Sequence, residues 1–181
     1  MESSANTSVQ KTEPGSALCT KCGLCCSNIL FNRAVLREKE LQKAAELKLS
    51  VIQINNNYWF RLPCPHYGNL KCTIYPNRFK ICDEFHCELL KHYLQKEISL
   101  EAALHIVASA QDLIQKIQAQ IPNYEDSRYL WDQINDTPDI QETNNSMELR
   151  RDKAGLLLNI FSLRVLFKKH FYRASPTEVA E

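Results

Sequence analysis

Cys19-Thr20-Lys21-Cys22-Gly23-Leu24-Cys25-Cys26 places four cysteines within eight residues. Four more follow at Cys64, Cys72, Cys82 and Cys87, and then none, so every cysteine of the 181-residue chain lies between positions 19 and 87. The run Cys19-x2-Cys22-x2-Cys25 returns a sulfur every three residues. Thiols at that spacing can turn inward around a small body while the backbone amides turn toward it. Gly23 removes a side chain where backbone must pass close to that body.

Working outward, Cys64 sits in Pro63-Cys64-Pro65, and residues 63–87 also hold Gly68 and Pro76, so most of this block reads as loop. A C-x2-C-x2-C run with a remote cysteine followed by proline is the arrangement of bacterial ferredoxin loops. On that basis Cys19, Cys22, Cys25 and Cys64 are a candidate set of ligands for an iron–sulfur cluster, with [4Fe–4S] favoured. Zinc is the competing reading, because eight cysteines suffice for two tetrahedral sites of four thiolates each. Of the later spacings, x7, x9 and x4, only the last is near zinc-knuckle spacing, and the adjacent pair Cys25-Cys26 is awkward for one tetrahedral ion. Disulfide redox chemistry is the third reading. All eight cysteines, including Cys26, Cys72, Cys82 and Cys87, are therefore candidate metal ligands. A centre of four thiolates keeps a net negative charge, which Lys21, Arg61, Lys71, Arg78 or Lys80 can offset. Arg78 is the best placed beside the ligands, since a guanidinium donates to more than one acceptor, and Tyr75 and Phe85 are expected to pack there. His66 and His86 are alternative ligands. Trp59, Trp131 and His105 read as core or surface residues.

The chain is long enough to bury a core without staples. Its 44% hydrophobic and 24% charged content is ordinary for a globular protein, and a net charge of +1 gives no general attraction to nucleic acid or anionic membrane. The polar start lacks a basic segment followed by an apolar run, and no apolar run approaches the ~18 residues that span a bilayer. The expected compartment is the cytoplasm, where free thiols favour metal ligation over disulfides.

The expected fold is mainly α with a small β-hairpin. It divides into a disordered tail over 1–17, a loop-rich cysteine-cluster module over 18–92, and a helical region over 93–181 packing on it. Ile29-Leu30-Phe31 reads as a short strand, and residues 34–48 carry helix formers throughout. Residues 51–62 read as a hairpin around Asn55-Asn56-Asn57. A helix is expected from about Asp83 or Glu84 through Leu94. Ser99 caps the next, whose stripe of Leu100, Leu104, Val107, Ile114, Ile117 and Ile121 ends at Pro122. Residues 123–148 are acidic, with seven acids against one arginine. The final helix, from about Ser146 to Arg173, carries seven bases against Asp152 over residues 150–173 and shows Leu156, Ile160, Leu163, Phe167 and Phe171 on one face. Its apolar residues wrap beyond that face, which favours burial.

The motifs Cys19-x2-Cys22-x2-Cys25-Cys26, Pro63-Cys64-Pro65 and Cys72-x-Ile74-Tyr75-x2-Arg78-x3-Cys82-x2-Phe85-x-Cys87 resemble the CxxCxxCC cysteine-cluster family, which is described as a zinc- or iron-chelating domain. The resemblance covers residues 19–87 and all eight cysteines. This chain departs from the pattern at Phe79, where the family has proline, and at Asp83, where it has arginine. A related cluster occurs in flagellin lysine N-methylase. The resemblance therefore implies an enzymatic alternative, methyl transfer from S-adenosylmethionine or redox chemistry, with a pocket beside the cysteines lined by ionisable groups. Four glycines leave little room for a nucleotide-binding loop. A zinc-stabilised module that binds a protein partner is the further alternative.

Overall fold

The computed structural model describes residues 15–68, 71–121 and 147–172. The polar lead-in, Trp131 and most of the acidic stretch fall outside them.

The chain opens with helix α1 (Ser16–Cys22) inside the cysteine motif itself. Gly23 ends it with φ 65° and ψ 0°, and its amide donates to the Cys19 carbonyl at 3.2 Å. This left-handed C-cap is the conformation glycine adopts at least cost. Strand β1 (Arg33–Leu36) comes next, then a 3-10 turn over Glu38–Glu40 and helix α2 (Leu41–Glu46). Strands β2 (Val51–Ile54) and β3 (Asn57–Arg61) form the hairpin. Its turn is the pair Asn55-Asn56, with φ 48° and 63°, the positive angles that a type I′ turn needs and asparagine tolerates. β3 is the central strand of the order β1-β3-β2, all antiparallel. The register sets Ala34 opposite Phe60, Val35 opposite Trp59 and Ile52 opposite Trp59.

Of the helix expected over 34–48, residues 34–36 are instead strand and Leu41–Glu46 are α-helical. Arg33–Leu36 are drawn into the free edge of β3, whose aromatic residues supply cross-strand partners, and this pairing overrides local helix propensity. Ile29-Leu30-Phe31 forms no strand; Ile29 and Leu30 are buried in a bend.

The second cysteine block contains the two-residue strands β4 (Tyr67–Gly68) and β5 (Lys71–Cys72) and a 3-10 turn over Tyr75–Asn77. Helices α3 (Lys80–Glu84) and α4 (Glu88–Leu94) take the place of the single helix expected there. The break at Phe85–Cys87 turns Cys87 back toward the other cysteines. Helix α5 (Leu100–Gln118) is capped by Ser99, whose Oγ accepts from Ala102 N at 3.1 Å. Helix α6 (Met147–His170) packs along α5.

Two cores result. The first joins α1, α4, α5 and α6 through buried residues such as Leu18, Leu89, Val107, Ala110, Ile117, Leu163 and Phe167. The second lies under the sheet, where Leu36 and Phe60 meet Ala44, Leu49, Leu62 and Phe79. Full burial of one such Leu or Phe contributes roughly 1.5–3 kcal/mol. Of the predicted stripe, Ile160, Leu163 and Phe167 on α6 and Phe171 just past its end are buried, and Leu156 is partly buried. Leu158, Phe161 and Val165 are exposed at 65%, 57% and 49%, so the apolar residues beyond the stripe are not covered by the described part of the chain. Among the described residues no helix is long and apolar enough to cross a membrane.

Candidate metal centre

A cavity of about 580 Å³ lies where the two cores meet, and all eight cysteines line it. Its wall takes Leu18, Leu24, Leu89 and Leu90 from the helical core and Phe60, Leu62 and Phe79 from the sheet core. The local structure explains how each cysteine arrives there. Cys19 and Cys22 are three apart on α1 and share one of its faces. After Gly23 the chain folds back in a tight turn, with the amides of Cys26 and Ser27 donating to the Gly23 carbonyl at 3.0 Å, and this returns Cys25 and Cys26 to the cavity. Cys64 is tied to this turn by its own amide, which donates to Cys26 O at 2.9 Å. Tyr67 N donates to Cys64 O at 3.0 Å, and Tyr67 pairs with Cys72 across β4 and β5. Cys82 rides on α3, and Cys87 stands at the N-cap of α4.

No disulfide joins any of the eight. Burial is the leading cause that raises the thiols of Cys19, Cys22, Cys25, Cys26, Cys64, Cys82 and Cys87. It carries Cys19 and Cys82 up to about 11, and Cys22 and Cys26 up to about 12, with Cys25 well above the usual thiol range. Cys19 and Cys82 have the most accessible surface of the set, which is consistent with their opening onto the cavity, yet protein still crowds them on the other sides. Neighbouring thiols add to the rise at several of them. Cys87 and Cys19 act on Cys22; Cys22 and Cys87 act on Cys25. Cys82, Cys64 and Cys72 act on Cys26, while Cys64 and Cys72 act on Cys82. Backbone amides oppose the rise, from Leu24 at Cys22 and from His66 at Cys64. Cys87 makes no capping hydrogen bond, but the amides of Leu90 and Leu89 are near enough to draw its thiol down. A thiolate in these positions meets donors already in place.

The candidate set Cys19, Cys22, Cys25 and Cys64 lines the cavity together with Cys26, Cys72, Cys82 and Cys87. As the side chains stand, no three Cys, His, Asp or Glu donors among the described residues are close enough to hold one metal ion. The chemistry of the donor set still fits a thiophilic centre: eight free thiols line one cavity, with amides lying against several sulfurs.

Arg78 lies beside the thiols as expected and lowers both Cys19 and Cys82 against the other effects. Its guanidinium stacks 4.2 Å over the Tyr75 ring and donates through Nε and Nη2 to Asp83 Oδ1 at 3.1 and 2.7 Å. Asp83 thus gives Arg78 a carboxylate partner where the family pattern has a second cation, and Arg78 in turn holds that carboxyl below its ordinary range. His66 points away: its Nε2 is bonded to Leu47 O at 2.9 Å, and it does not line the cavity. His86 does line it, with Arg33, Tyr75 and Arg78, so an ionisable lining beside the thiols is present. Trp59 is a wall residue rather than core. Arg33 lies 5.1 Å over its ring, and its Nε1 is buried with no partner.

Two supporting residues had no signal in the sequence. Gln111, in the middle of α5, donates through Nε2 to Lys21 O at 3.2 Å and Cys22 O at 3.3 Å, which satisfies carbonyls left open at the end of α1. Tyr67 lays its hydroxyl against Gly23, and the Cys26 and Cys22 thiols, after burial, raise its phenol.

Residues 18–104 match the family model CxxCxxCC, described as "Putative zinc- or iron-chelating domain". No curated protein and no solved structure gives a significant match. The matched residues run from the first buried leucine of α1 through every cysteine of the cavity and into α5. Over residues 18–104 the chain is thus similar to the CxxCxxCC family of zinc- or iron-chelating domains.

Proposed function

We propose that this metal-binding chain holds an iron–sulfur cluster in the cavity and serves in electron transfer or sensing within a reducing compartment such as the cytoplasm. One observation carries this reading. All eight thiols surround a single cavity of about 580 Å³, and no three donors among the described residues close on one ion. Thiolates spaced more widely than a single ion requires suit a larger body, and iron–sulfur clusters are held by four of them. The cluster, when bound, would supply one-electron chemistry. The chain's own contribution is to exclude water with Leu18, Leu24, Phe60 and Phe79 and to direct amides and Arg78 at the sulfurs. Such donors stabilise the more negative, reduced state and so set a potential.

Zinc is the second reading, supported by the match to a zinc- or iron-chelating domain and by eight thiolates, enough for two tetrahedral ions. One preparation separates the two. The protein is purified without oxygen, its visible spectrum recorded, and iron, sulfide and zinc are assayed. Broad absorption with iron and sulfide in stoichiometric amounts supports the cluster. Colourless protein containing zinc replaces it with the structural-metal reading.

A further inference from the structure

The geometry points to the outer face of α6 as a docking surface for an anionic lipid bilayer, with Leu158, Phe161 and Val165 entering the lipid and Lys168 and Lys169 meeting its head groups. This goes beyond the metal-binding reading and does not depend on it.

The first ground is where the exposed apolar side chains fall. The described residues leave four large hydrophobic side chains exposed, and three of them, Leu158, Phe161 and Val165, stand on this helix. Spacings of three and four residues line them up on one ridge. With about 3.6 residues to a turn, the ridge lies nearly opposite Ile160, Leu163 and Phe167, which are buried in the helical core. Single exposed hydrophobic residues are ordinary, but a row of them marks a surface built to be covered.

The second ground is charge. Residues 154–172 hold Arg164, Lys168, Lys169 and His170 and no Asp or Glu. Lys168 and Lys169 follow Val165 by three and four residues and are exposed, so they carry the ridge on into a basic end. From Leu158 to Lys169 the ridge runs about 16 Å along the helix. The acids of residues 123–148 come before this part of the helix in sequence. The net charge of +1 gives the chain no general pull toward an anionic surface, so the attraction is confined to this ridge. An apolar row flanked by lysines is the composition of helices that lie in the plane of an anionic bilayer, where the long lysine side chains reach the head groups.

The third ground is access. A protein groove would have to wrap the flanks of the helix, and α5 packs along α6 already. A flat bilayer needs only the outward side.

The test mixes the full chain, purified without oxygen, with vesicles of phosphatidylcholine and phosphatidylserine, or of phosphatidylcholine alone, and sediments them. Retention is expected on the phosphatidylserine vesicles. It should weaken roughly tenfold on phosphatidylcholine alone and in ~1 M salt, where the screening length is about 3 Å. Phe161→Gln and, separately, Lys168→Gln/Lys169→Gln should each weaken it by roughly tenfold or more. Val51→Gln, at the fourth exposed hydrophobic residue and away from α6, should bind like the unaltered chain. Far-ultraviolet circular dichroism reports the fold of each variant, and the lysine pair keeps the test decisive where Phe161→Gln does not fold. No retention on phosphatidylserine vesicles, equal retention on phosphatidylcholine alone, or retention that the folded ridge variants leave unchanged overturns the proposal. So does equal weakening by Val51→Gln. A dimer of the unaltered chain that Phe161→Gln dissociates, with no vesicle binding, also overturns it and gives the ridge to a second copy.

Discussion

The Tyr67 hydroxyl rests directly on the Cα of Gly23: a Cβ built on that glycine would stand 1.5 Å from Tyr67 Oη. The glycine also sits at φ 65°, so two independent constraints exclude a side chain in the middle of the cysteine motif. Gly23→Ala is expected to cost about 1–2 kcal/mol from the left-handed backbone alone, and more from the displaced tyrosine. Adding Tyr67→Ala should recover the steric part and leave the backbone part. Urea midpoints of the four proteins in this cycle measure the coupling, and simple additivity would mean the contact does not exist in solution.

Gln111 is held to a different standard because its partners are carbonyls. Only a donor can satisfy Lys21 O and Cys22 O, so Gln111→Leu should lose about 0.5–1.5 kcal/mol. Gln111→Glu should lose more at neutral pH, since a carboxylate accepts but cannot donate and would face two acceptors. Protonating that carboxyl by acidification should narrow the gap between the two variants. Equal stability of both variants from pH 4 to 8 would show that the amide does not cap α1.

How far these relationships were legible in the sequence depends on their range. The α5 stripe was readable because nineteen residues repeat one period, and Ser99 announces its start. The hairpin was readable because two asparagines at positive φ leave a local mark. Residues 33–36 were not, because Ala34, Val35 and Leu36 become a strand only when Phe60, Trp59 and Tyr58 lie opposite. The cysteines announced a metal centre by spacing. The routes by which they meet did not show, since Cys87 reaches the cavity through a helix break and the Cys64 amide is tied to the Cys26 carbonyl. Gln111 lies 89 residues from Cys22, and a lone glutamine on a helix carries no trace of that meeting.

The buried thiols give the metal-free protein an alkaline weakness. Burial raises Cys22 and Cys26 to about 12 from an ordinary 9.0, so between these values the folded chain holds protons that the unfolded chain has released. Stability falls with rising pH wherever the folded state binds more protons. The contribution is therefore complete below pH 9 and disappears as pH rises through the folded values. Urea midpoints of the reduced, metal-free protein should be level from pH 7 to 9 and fall steeply toward pH 11. Metal-loaded protein should behave oppositely and weaken on acidification, since its ligands must stay deprotonated. A level alkaline profile for the metal-free chain would show that these thiols are not buried.

Metal removal should loosen one core and spare the other. Among the described residues the helical core has sixteen buried residues and the sheet core six, and the cavity with its cysteines lies between them. A three-stranded sheet over so small a core is marginal alone, whereas α5 and α6 bury a continuous stripe whichever state the thiols are in. Loading should tie the sheet to the helices through Cys26 and Cys64 on one side and Cys22, Cys25 and Cys87 on the other. Hydrogen exchange is the measurement, because it resolves local opening from global unfolding. On chelation the amides of Phe60 and Arg61 in β3 should lose protection by several orders of magnitude, while those of Val107 to Ile114 in α5 keep most of theirs. Uniform loss across both regions would mean that the cores open as one unit. Undiminished protection in β3 would mean that the metal does not bridge them.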